Sequence, residues 1–403
     1  MVTLLKKNGN NYPSLPLTTA VFVCYFIALA VFGLNRPCWH DECHFVETVR
    51  LFLTHPSLST LVHYNEMSTP LPFVLYAVWG WLFGDSLINL RVLSLIIAAF
   101  TYLLYYYFFV KTFSGSKTAF WLTFFLALNP YMTGAGIFVY TDMLTMFFLV
   151  LLFFAIRNRS PFLSFIAAAG GLLCRQYYVF VVAAAICYCG WCFLLRKQSR
   201  ELFMVFALML AAVPLATLFV LWKGFCPVNT LSTPLIAESF TFHMNSFTLY
   251  IIQLFVYMLP VICFMGKSLY LDQRRLVLAL ILCWVYWLFP VAVSAPGIAA
   301  GKFTVGYFHR LLRIWPGVML EQWVFFICFT LAVPMAFSII SDTWKRLKSR
   351  NDDFTLFMDF SIILFYFVMP FSYMHWEKYF LPLLPIAAVQ LVATSTGIKK
   401  PGY

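Results

Sequence analysis

Residues 88–110 read INLRVLSLIIAAFTYLLYYYFFV, with Arg91 as their only charge, and Lys111 follows at once. A helix of that length and polarity crosses a hydrocarbon core of about 30 Å. The pattern recurs along the chain. Apolar segments at 17–34, 118–136, 142–156, 161–174, 178–195, 202–222, 247–265, 276–295, 318–340, 354–373 and 379–396 bring the expected spans to twelve. Hydrophobic residues make up 63% of the 403 positions and charged residues 10%, against about 45–50% and about 25% in soluble domains. So little charge cannot cover a soluble surface of this size. A cytosolic enzyme, a disordered chain and a nucleic-acid binder are excluded, despite the net charge of +12. The expected fold is an all-α polytopic membrane protein with one transmembrane domain over residues 1–403.

The basic residues orient the spans. Lys6-Lys7, Lys111 with Lys117, Arg157 with Arg159, Arg196-Lys197 with Arg200, Lys267 with Arg274-Arg275, the Lys345–Arg350 group and Lys399-Lys400 fall on every second connection. Cytoplasmic loops collect Lys and Arg, so both termini are expected in the cytoplasm. The apolar stretch Pro70–Phe83 is short and opens with Pro70 and Pro72. It reads as an interfacial or half-embedded helix within an outer loop at 35–87. The first span is followed by Asn35-Arg36-Pro37 instead of a small-residue cleavage site, so it reads as a retained helix.

The outer face is chemically different. All seven histidines and nine of the 15 acids fall there, in loops 35–87, 223–246 and 296–317 or at outer helix ends. The inner connections carry almost nothing but Lys and Arg. A secondary transporter would place ionisable groups and broken helices near the midplane, often in two repeated halves. Here only Asp359 sits well inside a predicted span, no internal repeat is evident, and no span shows the polar stripe of a channel. An enzyme working at the outer interface is expected, with a transporter or flippase of a lipid-linked substrate as the alternative. Most cysteines lie in apolar runs, where thiols behave as small hydrophobes. Cys38 and Cys43 stand too close to a helix start for a disulfide to be expected.

The densest constellation is Trp39-His40-Asp41-Glu42-Cys43-His44-Phe45. Acids favour the first helical turn, and residues 43–53 then read as an amphipathic helix. Asp41 and His44 are three apart and share a face, while Glu42 points away. The plainer reading is a helix-capping aspartate among solvated neighbours. Moving a sugar from a lipid phosphate to a hydroxyl needs one general base and no general acid, because the phosphate leaves as a low-pKa group. It also needs cations on the phosphate. Glycoside hydrolysis differs in requiring a second carboxyl as acid.

Asp41-Glu42-Cys43-His44-Phe45 is similar to the Asp-Glu-x-His-Phe of protein O-mannosyltransferases, members of the GT-C superfamily that use polyprenyl-phosphate sugars. Ser68-Thr69-Pro70-Leu71-Pro72 and Leu82-Phe83-Gly84-Asp85-Ser86 with Leu90-Arg91 resemble stretches of bacterial transferases in that group, which includes the lipid A aminoarabinose transferases. Val139-Tyr140-Thr141-Asp142 resembles the segment carrying their second outer acid. Leu173-Cys174-Arg175-Gln176 resembles the Arg-Gln of dolichol-pathway α-1,2-glucosyltransferases, and Lys378 precedes a Tyr379-Phe380-Leu381-Pro382 similar to one that opens their last helix. The resemblance covers the first 180 residues and the C-terminal 30. The Tyr usual after Asp-Glu in bacterial members is missing, and no large soluble C-terminal domain follows as in oligosaccharyltransferases.

The resemblance implies a hexosyltransferase that takes a dolichyl- or undecaprenyl-phosphate sugar and delivers it to a glycan, lipid or protein hydroxyl. The expected host is a bacterial plasma membrane, with the endoplasmic reticulum membrane as the alternative. Asp41 is the implied base, with Glu42 and His44 tuning or orienting it and Asp142 assisting or binding acceptor hydroxyls. Asp142 reads equally well as a helix cap, and Arg175 as either a phosphate ligand or a snorkelling arginine. Lys302, His309, Arg310 and Arg313 form a basic outer cluster that wants an anion such as a lipid phosphate. His44, Glu66 and Lys378 complete the candidate substrate contacts. His40, Asp41, Glu42, His44 and Glu66 have the chemistry to gather round a divalent ion, but no cofactor is signalled.

Overall fold

The computed structural model describes residues 15–39, 41–113, 115–231, 241–265, 273–299, 301–315, 317–372 and 374–396. His40, Lys6, Lys7, Lys267, Lys399 and Lys400 lie outside them. All regular structure among the described residues is helical. The chain divides into an N-terminal unit, Asn10–Val182 with Lys197–Thr233, and a C-terminal unit, Ala183–Arg196 with Pro234–Tyr403.

In the N-terminal unit α1 (Leu15–Gly33) leads to α2 (Asp41–Thr54), the short α3 (Leu58–His63) and α4 (Leu71–Phe83). There follow α5 (Leu87–Phe113), α6 (Ser116–Leu128), α7 (Pro130–Ile137), α8 (Asp142–Arg157) and α9 (Pro161–Cys174). After α10 (Val179–Arg196), the unit is completed by α11 (Ser199–Ala211), α12 (Val213–Trp222) and the single turn α13 (Val228–Leu231). Prolines set the breaks. The predicted span at 118–136 is two helices, because Pro130 opens a new one and the Asn129 side chain accepts from the amides of Tyr131 and Met132. α7 then meets α8 at 107°. Helix α9 lies close against α8 and the turn at Tyr178, since a Cβ on Gly170 would sit 2.2 Å from the Phe148 ring and one on Gly171 would sit 2.2 Å from Tyr178. That packing holds the end of α9 near the start of α8.

The C-terminal unit contains α14 (Met244–Met265), α15 (Gln273–Leu282) with a 3₁₀ continuation at Cys283–Leu288, and α16 (Ala295–Ala299). Then come α17 (Tyr307–Ile314), α18 (Val318–Lys348), α19 (Phe354–Val368) and α20 (Leu383–Thr396). Leu249, Ile252, Tyr286, Phe325, Phe329 and Ala332 form its core, where α14 and the 3₁₀ turn pack on α18.

Six helical segments among the described residues are long and apolar enough to cross a membrane: Leu87–Phe113, Gln176–Arg196, Ser199–Trp222, Met244–Cys263, Val318–Lys348 and Phe354–Phe371. The bent pair α7–α8 makes a seventh if counted as one span. Shorter apolar helices occupy the remaining predicted positions, and the stretch read as interfacial is the thirteen-residue α4. The outward faces are apolar as well. On α5, Phe100, Leu103 and Tyr107 are exposed while Ala98, Thr101, Tyr105 and Phe108 are buried. On α11, Phe203, Phe206 and Leu210 are exposed. Contiguous apolar surface of this kind belongs in lipid, where water would demand polar side chains. The chain is a polytopic membrane protein.

Candidate functional site

The site in the N-terminal unit starts from an anchor. Arg91, the single charge in the apolar run of α5, is fully buried against Glu42 at the start of α2. Its Nε donates to Glu42 Oε1 at 2.9 Å and its Nη2 to Oε2 at 2.6 Å. The remaining guanidinium protons go to the carbonyls of Gly33, Leu34, Arg36 and Pro37. Glu42 also accepts from the amides of Trp39, at 3.1 Å, and Val139, at 3.0 Å. One ion pair therefore ties together the end of α1, the first turn of α2 and the segment that enters α8. Glu42 was expected to tune or orient Asp41. Its carboxylate is enclosed and committed to Arg91 and to two backbone amides.

Asp41 is half-buried at the first position of α2, and His44 follows one turn later on the surface. His44 Nδ1 lies 3.3 Å from Glu66 Oε1. That contact raises the His44 pKa above its ordinary value, with smaller support from the charges of Asp41 and Glu47. Burial pushes the Glu66 carboxyl up, opposed by His44 and by Arg175. Asp41 acts electrostatically on both His44 and Glu66. These four groups therefore belong to one cluster.

Glu66 is held there by its loop. The Tyr64 hydroxyl donates to Ser68 O at 2.7 Å, Thr69 Oγ1 donates to Leu172 O at 3.0 Å, and Gln176 Nε2 donates to Met67 O. These bonds tie residues 64–69 to the end of α9, where Arg175 is the capping residue in an extended conformation. Arg175 Nη2 lies 3.0 Å from Asp142 in the first turn of α8, and the Tyr177 hydroxyl donates to Asp142 Oδ1 at 3.3 Å. Both members of the Arg175–Asp142 pair are buried. Arg175, read from the sequence as a phosphate ligand or a snorkelling arginine, has Asp142 as a counter-ion within the protein.

The C-terminal unit holds the basic cluster, again with its own acids. Arg313 grips Glu321 through Nε at 3.0 Å and Nη2 at 2.9 Å. His309 Nδ1 accepts from the Val305 amide at 3.2 Å, which places the proton on Nε2, 3.3 Å from Glu321 Oε2. Burial lowers the His309 pKa below its ordinary value. Glu377 accepts from the amides of Phe308 and His309, each at 2.9 Å, and from the Tyr257 hydroxyl at 3.1 Å. It therefore caps the start of α17. Lys302 lies over the Trp376 ring at 5.4 Å, Arg310 is exposed, and Lys378 is half-buried. Arg313 and His309, two of the four residues expected to meet a lipid phosphate, thus both face Glu321.

Sequence reasoning assigned no role to Arg91, Glu321 or Tyr177. A lone charge in an apolar span is costly enough to require a partner, and that signal was present at Arg91. Among the described residues no three His, Cys, Asp or Glu side chains gather as a metal ion would require. Compared with family models, curated proteins and solved structures, the chain matches none.

Proposed function

We propose that the chain is a GT-C-type membrane glycosyltransferase that moves a sugar from a polyprenyl phosphate to a glycan, lipid or protein hydroxyl. In this reading it crosses the membrane twelve times, keeps both termini in the cytoplasm and carries residues 35–87 on the extracytoplasmic or lumenal face. The observation that supports it is the convergence of Asp41, His44, Glu66, Asp142 and Arg175 in one unit, from segments far apart in sequence. Asp41 accepts the proton of the attacking hydroxyl as its oxygen bonds to the sugar carbon. The bond from that carbon to the phosphate oxygen breaks, and the polyprenyl phosphate leaves without needing an acid. His44, surface-exposed and holding its proton above the ordinary histidine range, is the cation beside the base that meets the departing phosphate. Arg175 orients Asp142 toward the acceptor hydroxyl. Asp359, the acid inside a predicted span, pairs locally with Arg346, so it lends a transport reading no separate support.

The test uses the purified full-length protein in lipid vesicles with a panel of polyprenyl-phosphate sugars and hydroxyl acceptors. The expected result is consumption of one donor with release of polyprenyl phosphate, dependent on acceptor. Movement of the intact donor between leaflets with no consumption would establish the transporter alternative instead.

A further inference from the structure

Helix α17 is built inside out. His309 and Arg313 turn inward onto Glu321, and the His309 ring also packs edge-on against Phe325 at 5.3 Å. The opposite face carries Tyr307, Leu311 and Ile314 at helical spacing, and all three are exposed. The apolar surface runs on past the helix end: Ile314 is 72% exposed, Trp315 87% and Met319 89%. From there it continues along the exposed stripe Leu320, Trp323, Ile327 and Leu331 of α18, which is long and apolar enough to cross a membrane. Water would demand the reverse arrangement, with the polar residues outward; lipid accepts this one. The position agrees. α17 ends at Ile314 and the span begins at Val318, so α17 sits where a span meets the headgroups, the level at which tryptophan is enriched. One residue breaks the apolar face. Arg310 is exposed on the side of Tyr307 and Ile314, and among the described residues it pairs with no acid.

We propose that the outer face of α17 binds an anionic phospholipid, with acyl chains along Leu311, Ile314 and Trp315 and the phosphate on Arg310. The inference rests on the membrane placement of the chain and does not depend on the reaction proposed above. An arginine among apolar side chains lays its stem along them and reaches for the headgroup layer with its charge. There the forked N–H groups of the guanidinium match two phosphate oxygens at once. A zwitterionic headgroup brings its own cation beside the phosphate and so competes with Arg310; an anionic one does not. His309 and Arg313 do not take this part, because both face Glu321. A second copy of the chain fits less well. It would have to bring an acid to Arg310 and also cover apolar surface that extends along a membrane span. Lipid phosphate is present at the end of every span.

The experiment titrates the purified full-length protein with phosphatidylglycerol or phosphatidylcholine in mixed micelles and counts the bound lipid by native mass spectrometry. Arg310→Gln should weaken phosphatidylglycerol binding about fivefold, the effect of one basic residue at a membrane surface, and leave phosphatidylcholine binding unchanged. Arg310→Lys keeps the charge and loses the fork, so it should recover only part of the difference. Equal phosphatidylglycerol binding in the parent and Arg310→Gln overturns the inference, as does equal weakening for both lipids. Polyprenyl phosphate that displaces the Arg310-dependent lipid at a lower concentration than phosphatidylglycerol itself would give the site to another lipid phosphate and overturn the phospholipid assignment. A second arm leaves Arg310 intact and places a benzoylphenylalanine photocrosslinker at Ile314 in the native membrane. Adducts with phospholipid acyl chains are expected. Adducts with a second copy of the chain, or with another protein, would show that protein covers this face and overturn the inference.

Discussion

Arg91 and Glu42, 49 positions apart, meet in a two-point ion pair with neither side chain exposed. Four backbone carbonyls and two backbone amides take up their remaining hydrogen-bonding capacity. A buried pair is tolerated when it is saturated in this way, whereas removing one member strands a charge at a cost of about 3–5 kcal/mol. Arg91→Met should therefore sharply lower the unfolding temperature of the detergent-solubilised protein. Adding Glu42→Met should recover much of the loss. A loss in the double variant equal to the sum of the two single losses would mean that the two residues stabilise independently.

Asp41→Asn preserves the shape of the side chain and removes its ability to take a proton. Sugar transfer should drop by about 10²–10⁴ while the unfolding temperature stays within a degree or two. Single-turnover rates on the purified variant decide the matter. Transfer within about threefold of the parent would move the base elsewhere.

The His44–Glu66 contact carries a pH signature. His44 has a raised folded pKa, so its contribution is fully present below the ordinary value of 6.5 and is lost as pH rises through the higher folded value. Thermal stability should fall across that window, and His44→Gln should flatten the fall. The exposure of His44 keeps the amplitude small. A stability profile with the same slope in the variant would assign the titration to another group.

Gly170 admits the Phe148 ring where any side chain would collide with it. Gly170→Val should force α8 and α9 apart, cost about 1–3 kcal/mol or more, and disturb the Arg175–Asp142 pair at the same time. Pairing Gly170→Val with Phe148→Ala makes room for the new side chain and should return part of the stability. Thermal unfolding of the single and paired variants measures it.

Topology has a direct assay. Ser57→Cys and Ser349→Cys, both exposed positions, should react with an impermeant maleimide from opposite sides of sealed membranes, above the background of native thiols. Reaction of both from one side would contradict the twelve-span arrangement.

The run at 88–110 and its relatives determine a helical membrane protein without any tertiary information, because the demand for internally satisfied backbone in lipid leaves helices as the simple solution for twenty-residue apolar stretches. The sequence also marked Asp41, His44, Glu66, Asp142 and Arg175 as residues of interest, since polar groups near a membrane need a reason to be there. It could not say which of them meet. Glu42 and Asp41 are neighbours in sequence, yet helical periodicity sends Glu42 into the buried grip of Arg91 and leaves Asp41 beside His44 and Glu66. Arg175 looked like a cation awaiting a ligand until the packing of α8 on α9 through Gly170 set Asp142 against it. The same holds for Arg313 and His309, whose partner Glu321 lies one helix further on. Charge balance is a property of three-dimensional neighbours, and only the tertiary structure decides which charges are spent inside the protein.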